Sequence, residues 1–171
     1  MVSDDVREGI LELIKILDKG IAMEHHAQDF YRNASKKTVS LQGKKMYDWL
    51  VEFEVNHEEK LRGKKKELLE HPAMKGAKPP PFDMDKLLSE ASANTKLPVN
   101  PTDIDILHIA IENEERALAF FTRKFTHAQG EHLKTMFETM AAEEDKHLRI
   151  LTDIRRRLQI EGIWADYDKI E

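Results

Sequence analysis

The chain has 171 residues and a net charge of −5, with 35% charged and 7% aromatic residues. These values are typical of one helical domain with a sizeable core, and the acidic balance argues against nucleic acid or an anionic membrane as a partner. The sequence contains no cysteine. Disulfides, iron–sulfur clusters, a rubredoxin-type iron centre and thiol catalysis are therefore excluded within it.

The first five residues include two aspartates, Asp4 and Asp5, and lack a signal-peptide pattern. No apolar stretch approaches the roughly 20 residues that span a bilayer. We therefore expect a cytoplasmic protein.

The first part of the chain predicts two long helices. Apolar residues recur at helical spacing over about 4–35 and again over about 40–70, and Pro72 is expected to end the second helix. The connection near 37–39 is short, which predicts that the two helices are antiparallel neighbours.

A long connection of about 71–101 follows this first hairpin. It contains three successive prolines at 79–81, and its length allows the chain to cross from one end of a bundle to the other. A short amphipathic helix within it is predicted from the spacing of Met84, Leu87, Leu88 and Ala91.

The last part of the chain predicts a second hairpin, with helices over about 102–126 and about 130–160. The tail, 161–171, carries Ile163, Trp164 and Tyr167 and is expected to dock on the bundle or on a partner subunit. No segment alternates with the period of a strand. The predicted fold is therefore an all-α four-helix bundle in a single domain, made of two antiparallel hairpins joined by a long crossover.

Two identical triplets of residues lie ninety positions apart. The first triplet is Glu24, Glu54 and His57, and the second triplet is Glu114, Glu144 and His147. One Glu-x-x-His motif is weak, but apolar residues share the same register, among them Ile14 with Ile104, Leu17 with Leu107, Phe30 with Phe120 and Leu61 with Leu151. This shared register indicates a duplicated hairpin.

The spacing within each triplet predicts that its members meet at one depth of their hairpin. Counted from the turn, all three residues lie about 20–25 Å along the helices, at ~1.5 Å per residue. They interrupt apolar stripes, where uncompensated carboxylates would each cost several kcal/mol. Two divalent ions would neutralise four carboxylates, and the oxygen and imidazole ligands suit iron or manganese, with zinc also possible.

Other polar residues close to the triplets require separate interpretations. Tyr31 and Tyr47 each lie two helical turns from a ligand candidate, so two interpretations are open: a hydrogen bond to a ligand carboxylate, or plain packing in the core, which we favour. Four glutamates beside the triplets are auxiliary candidates that we expect mainly to face solvent, namely Glu58, Glu112, Glu115 and Glu143.

The sequence resembles the rubrerythrin-like branch of the ferritin-like superfamily of di-iron carboxylate proteins. The resemblance covers both hairpins and is carried by Ala22-Met23-Glu24, Glu54-Val55-Asn56-His57, Ala110 to Glu114 and Glu143-Glu144-Asp145-Lys146-His147. It implies a non-haem centre of two iron ions that reacts with peroxide or dioxygen. Rubrerythrins have a further Glu three residues after the third-helix ligand, where this chain has Ala117. The site is then closer to a symmetric arrangement, in which Glu24 and Glu114 are terminal, Glu54 and Glu144 bridge, and each metal has one histidine.

The resemblance implies an oxidoreductase that reduces peroxide. Many rubrerythrins carry a cysteine-ligated donor domain, and this chain has no cysteine, so it is expected to use a separate electron-donor protein. The family and the apolar tail together lead us to expect a homodimer. Two alternatives remain. One is a ferroxidase or iron-storage subunit, and the other is a structural bundle that binds zinc or no metal.

Overall fold

The computed structural model describes residues 4–91 and 97–166, and within these ranges every regular element is helical. The long helices are α1 (Asp4–Lys37), α2 (Leu41–Leu69), α4 (Asp103–His127) and α5 (Glu131–Glu161), and the connection contains the short α3 (Met84–Ala91). The prediction of an all-α chain is confirmed. The short helix also lies where its apolar spacing predicted. None of the described helices combines the length and apolar composition needed to span a bilayer.

Local sequence signals account for most helix ends. Thr102 and Asp105 form a capping box at the start of α4, in which the Thr102 side chain accepts from the Asp105 amide and the Asp105 carboxylate accepts from the Thr102 amide. Gly162 ends α5 in the left-handed conformation, with a φ of 68°, where residues with a side chain would be strained. Tyr167 of the tail lies outside the described residues.

The described residues fall into two compact units, and the single domain expected from the sequence stays a prediction. The first unit contains residues 4–28 and 52–91, and therefore combines the start of α1 with the end of α2 and the first part of the crossover. One hydrophobic cluster in this unit contains Ile10, Ile14, Ala73 and Met74. Arg7 Nε donates to the Ala73 carbonyl at 2.9 Å, which fixes the chain just after α2 against the start of α1.

The second unit contains residues 29–51 and 97–166, and therefore combines the end of α1 and the start of α2 with α4 and α5. Its interior is rich in aromatic side chains, and Tyr31, Tyr47, Phe121 and Phe137 are all fully buried. Burial of such rings supplies much of the apolar area that stabilises a unit of this size.

The tail after α5 folds back onto the second unit. The Trp164 indole donates to Asp103 Oδ2 at 3.0 Å, and its ring meets the Tyr47 ring edge-on with 6.2 Å between centroids. Asp103 also accepts from Thr38 Oγ1 at 2.6 Å. A Cβ at Gly43 would lie 2.8 Å from the indole, so the close approach of Trp164 requires glycine there. The tail was expected to dock on its own chain or on a partner subunit, and Trp164 docks on its own chain.

Candidate metal centre

The first triplet is assembled inside the first unit by α1 and α2. Glu24, Glu54 and His57 are each at most 2% exposed. His57 Nδ1 lies 3.4 Å from Glu54 Oε2 and 3.6 Å from Glu24 Oε2, and a ligand atom from each of the three lies within 4.8 Å of the others. Two carboxylates and an imidazole therefore converge on one small volume.

The second triplet is assembled inside the second unit by α4 and α5, with nearly the same geometry. His147 Nδ1 lies 3.4 Å from Glu144 Oε2 and 3.5 Å from Glu114 Oε2. All three residues are at most 2% exposed, and their ligand atoms also meet within 4.8 Å. The structure thus brings together the members of each triplet as the ninety-residue register predicts.

The donor set of each triplet fits a divalent metal ion. Burial makes an isolated carboxylate costly, and two carboxylates with one neutral imidazole balance the charge of one such ion. Mixed oxygen and imidazole ligands are those that iron, manganese and zinc accept in proteins. A site made of one ligand type alone, such as four thiolates, would have indicated a different choice of metals.

Two aromatic side chains contact the second triplet. The Tyr31 hydroxyl donates to Glu114 Oε1, and the Trp49 ring meets the His147 ring edge-on with 5.6 Å between centroids. Tyr31 fits both interpretations, because its ring is buried in the core and its hydroxyl binds the Glu114 carboxylate. The contact joins residues 83 positions apart, and the Tyr31 spacing from Glu24 gave no signal for it.

Tyr47 stacks on Tyr31, with 6.1 Å between ring centroids and 18° between ring planes. Burial, together with the nearby Asp103 charge, raises the pKa of the Tyr47 phenol far above its usual range. Its hydroxyl has no hydrogen-bond partner among the described residues. Tyr47 therefore packs as a neutral core residue, as expected.

The first triplet has polar neighbours instead. Gln28 Nε2 donates to Glu58 Oε2 at 2.6 Å and to the Glu54 backbone carbonyl at 3.2 Å. Glu58 also accepts from Arg62 Nε at 2.7 Å, and His25 Nδ1 lies 3.3 Å from its Oε2. Burial acts to raise the pKa of Glu58, but the hydrogen bonds and charge of Arg62, with the bonds from Gln28 and His25, outweigh it and lower that pKa.

The expectation that Glu58 faces solvent was wrong, since it is only 9% exposed. Its position explains this, because Glu58 follows Glu54 by one helical turn and Gln28 follows Glu24 by one turn, so both share a face with a ligand candidate. That spacing was visible in the sequence. Glu115 is exposed as expected, and Glu112 is half-buried and interacts with His108 and Arg116.

Known structures with the same arrangement of helices include two that cover nearly the whole chain. One is a dodecameric thioferritin, the bacterioferritin-related protein from Bacteroides fragilis, which is 16% identical over 90% of this chain and 89% of its own, with a TM-score of 0.76. The other is a hypothetical protein from Pyrococcus furiosus, 20% identical over 89% of this chain and 93% of its own, with a TM-score of 0.67. This chain has a ferritin-like fold.

The Rubrerythrin family model matches residues 105–169 of this ferritin-like chain, which cover nearly all of α4, the whole of α5 and the tail. The predicted resemblance to rubrerythrins is therefore confirmed in the second hairpin. No protein of curated function matches the sequence. Together with the two buried triplets, the fold and the family match support a di-iron carboxylate protein.

Proposed function

We propose that this chain is an oxidoreductase that binds two iron ions, one at each triplet, and reduces peroxide with electrons from a separate donor protein. The observation that carries the proposal is the repetition of one buried Glu, Glu and His set in both units, within nearly equal distances. The Rubrerythrin match in the second hairpin supports the same chemistry.

The protein side chains would bind, orient and shield the reacting centre. In each unit the three ligand candidates already hold their donor atoms close together, so little reorganisation is needed when metal binds. The Tyr31 hydroxyl fixes one oxygen of Glu114 and leaves Oε2 toward His147. Bound iron ions would supply the two electrons that convert peroxide, with two protons, to water.

The aromatic surroundings of the second triplet would limit access of water. Tyr31, Tyr47 and Phe121 are fully buried, and Trp49 covers the His147 ring from one side. Exclusion of water strengthens electrostatic interactions and suppresses side reactions of partly reduced oxygen species. In this proposal the protein confines the reaction, and an external donor restores the electrons.

The test begins with an anaerobic Fe(II) titration of the metal-free protein, alongside Glu114→Ala and Glu115→Ala. Glu115 is the exposed neighbour of Glu114 and serves as the matched control. We expect two iron ions per chain in the wild type and in Glu115→Ala, and fewer in Glu114→Ala. Rapid mixing of the loaded protein with peroxide and with dioxygen then shows which oxidant reacts faster, and we expect peroxide.

The absence of saturable binding, with helicity and melting unchanged by iron, would contradict the proposal. It would favour the structural bundle instead. Saturable zinc binding without iron binding would lead to the same conclusion.

A ferroxidase or iron-storage subunit is the second candidate, and one comparison favours it. The Bacteroides fragilis neighbour is a dodecameric thioferritin. Storage needs a closed assembly of many chains, so light scattering separates the two functions. A homodimer with iron uptake limited to two ions per chain supports the oxidoreductase, whereas a large assembly that accumulates iron beyond that ratio supports storage.

A further inference from the structure

The side chain of Gln28 links α1 to α2 one helical turn beyond the ligand candidates of the first triplet. Its amide nitrogen donates to the carbonyl of Glu54, which is itself a ligand candidate, and to the carboxylate of Glu58. Gln28 is 4% exposed and Glu58 is 9% exposed. A buried amide that uses its nitrogen in two directions has little freedom to change position.

The carboxylate that receives this bond is itself fixed. Arg62 binds Glu58 Oε1 through both Nε and a terminal nitrogen, at 2.7 and 2.6 Å, and His25 contacts the other oxygen. Hydrogen bonds to a charged acceptor are about twice as strong as neutral ones. Glu58 therefore serves as a stable anchor on α2 for the amide that comes from α1.

The second hairpin lacks this link. The residues ninety positions after Gln28 and Glu58 are Leu118 and Leu148, which have neither an amide nor a carboxylate. Near the second triplet, the Tyr31 hydroxyl instead binds the Glu114 carboxylate directly. The two triplets thus share their ligand types but are supported by different side chains.

We infer that Gln28, anchored by Glu58, is the positioning residue that sets the spacing between Glu24 and the Glu54–His57 pair. The inference rests on the proposed function, because it requires that the first triplet binds metal. Metal–ligand distances tolerate changes of only about 0.2 Å, so a side chain that fixes the two helices beside the ligands controls affinity. Loss of such outer partners lowers metal affinity by about 10–100-fold in known sites.

The substitution that tests this is Gln28→Met, which keeps the length and approximate volume of the side chain and removes only its hydrogen-bonding groups. We would place it in two backgrounds. His147→Ala weakens metal binding at the second triplet, so that binding at the first triplet can be measured. His57→Ala weakens metal binding at the first triplet, so that binding at the second can be measured. Co(II) binding is followed by equilibrium dialysis and by its visible absorption spectrum.

We expect Gln28→Met to weaken Co(II) binding by at least 10-fold, with an altered absorption spectrum, in the His147→Ala background. In the His57→Ala background, Gln28→Met should change the Co(II) affinity by less than 2-fold. The double substitution Gln28→Leu/Glu58→Leu, which copies the residues at 118 and 148, should reproduce the Gln28→Met effect.

Equal weakening in both backgrounds would overturn the inference, because Gln28 would then act through overall stability. No weakening in either would overturn it as well. If the His147→Ala and His57→Ala chains bind no Co(II), Gln28→Met is tested in the chain that keeps both triplets. Only one of the two Co(II) binding constants of that chain should then fall. A wild-type chain that binds no metal would instead refute the proposed function.

Discussion

The two triplets present a comparison within one chain, because their ligand types are the same and their surroundings are not. The first is bordered by an amide, a carboxylate and a guanidinium in Gln28, Glu58 and Arg62. The second is bordered by the Tyr31 phenol and the Trp49 indole. The ninety-residue register is therefore strict for the residues proposed to bind metal and relaxed for those that support them.

This difference teaches that a duplicated site keeps its ligands and replaces their supports. Hydrogen bonds from neighbouring side chains hold metal ligands in position, and in this chain the two triplets use different neighbours for that purpose. The consequence is that a substitution beside one triplet should change metal affinity at that triplet more than at the other. Four further variants, in two matched pairs, test this comparison.

The largest effect is expected for Tyr31→Phe. This change removes the hydroxyl that donates to Glu114 and keeps the buried ring, so metal affinity at the second triplet should fall by about 10–100-fold. The measurement is a Co(II) titration in the His57→Ala background. Affinity at the first triplet, measured in the His147→Ala background, should remain within 2-fold.

Tyr47→Phe is the matched control for Tyr31→Phe. The Tyr47 ring stacks on Tyr31, but its hydroxyl has no hydrogen-bond partner among the described residues. Removing a buried hydroxyl that makes no hydrogen bond is nearly neutral or stabilising, so Co(II) affinity should not fall. A similar loss in both variants would mean that the aromatic stack, and not the hydrogen bond to Glu114, supports the second triplet.

An intermediate effect is expected for Asp18→Asn in the first unit. Asp18 is 3% exposed, and its carboxylate binds Lys65 Nζ at 2.5 Å. The Asn oxygen can still accept from Lys65, but the negative charge that strengthens this buried hydrogen bond is lost, so the free energy of unfolding should fall by about 1.5–3 kcal/mol. Urea unfolding of the metal-free protein, followed by circular dichroism, measures it.

The smallest effect is expected for Arg155→Met, at the position ninety residues after Lys65. Arg155 meets His108, the counterpart of Asp18, at 3.5 Å on an exposed surface. Surface substitutions of this kind change stability by less than about 0.5 kcal/mol. Equal urea midpoints for the Arg155 and Asp18 variants would show that burial does not make the Asp18–Lys65 pair contribute more to stability than the His108–Arg155 pair.

Sequence alone predicted the helices and both triplets because each depends on spacing within a helix or on the repeat. The apolar period placed α1, α2, α4 and α5, and the Glu-x-x-His register brought the members of each triplet together. The burial of Glu58 could have been predicted from its one-turn spacing after Glu54. The bond between Tyr31 and Glu114 could not, since it joins two hairpins whose packing no local spacing encodes.

The division into two compact units was also not predicted. The boundaries cross α1 and α2 in mid-helix, where composition and periodicity continue without a break. Compactness depends on which side chains meet across helices, and this information is absent from a single helical stripe. The tail posed a similar difficulty, because its apolar residues fit the chain itself and a partner equally well.

The close contact between Trp164 and Gly43 has a consequence for the evolution of this sequence. The indole lies 2.8 Å from where any β-carbon at position 43 would stand, so the two positions are not free to vary independently. Among relatives, we expect glycine at 43 to accompany an aromatic residue at 164, and larger residues at 43 to occur where that aromatic is lost. Such covariation would separate relatives whose tail docks in this way from relatives whose tail does not.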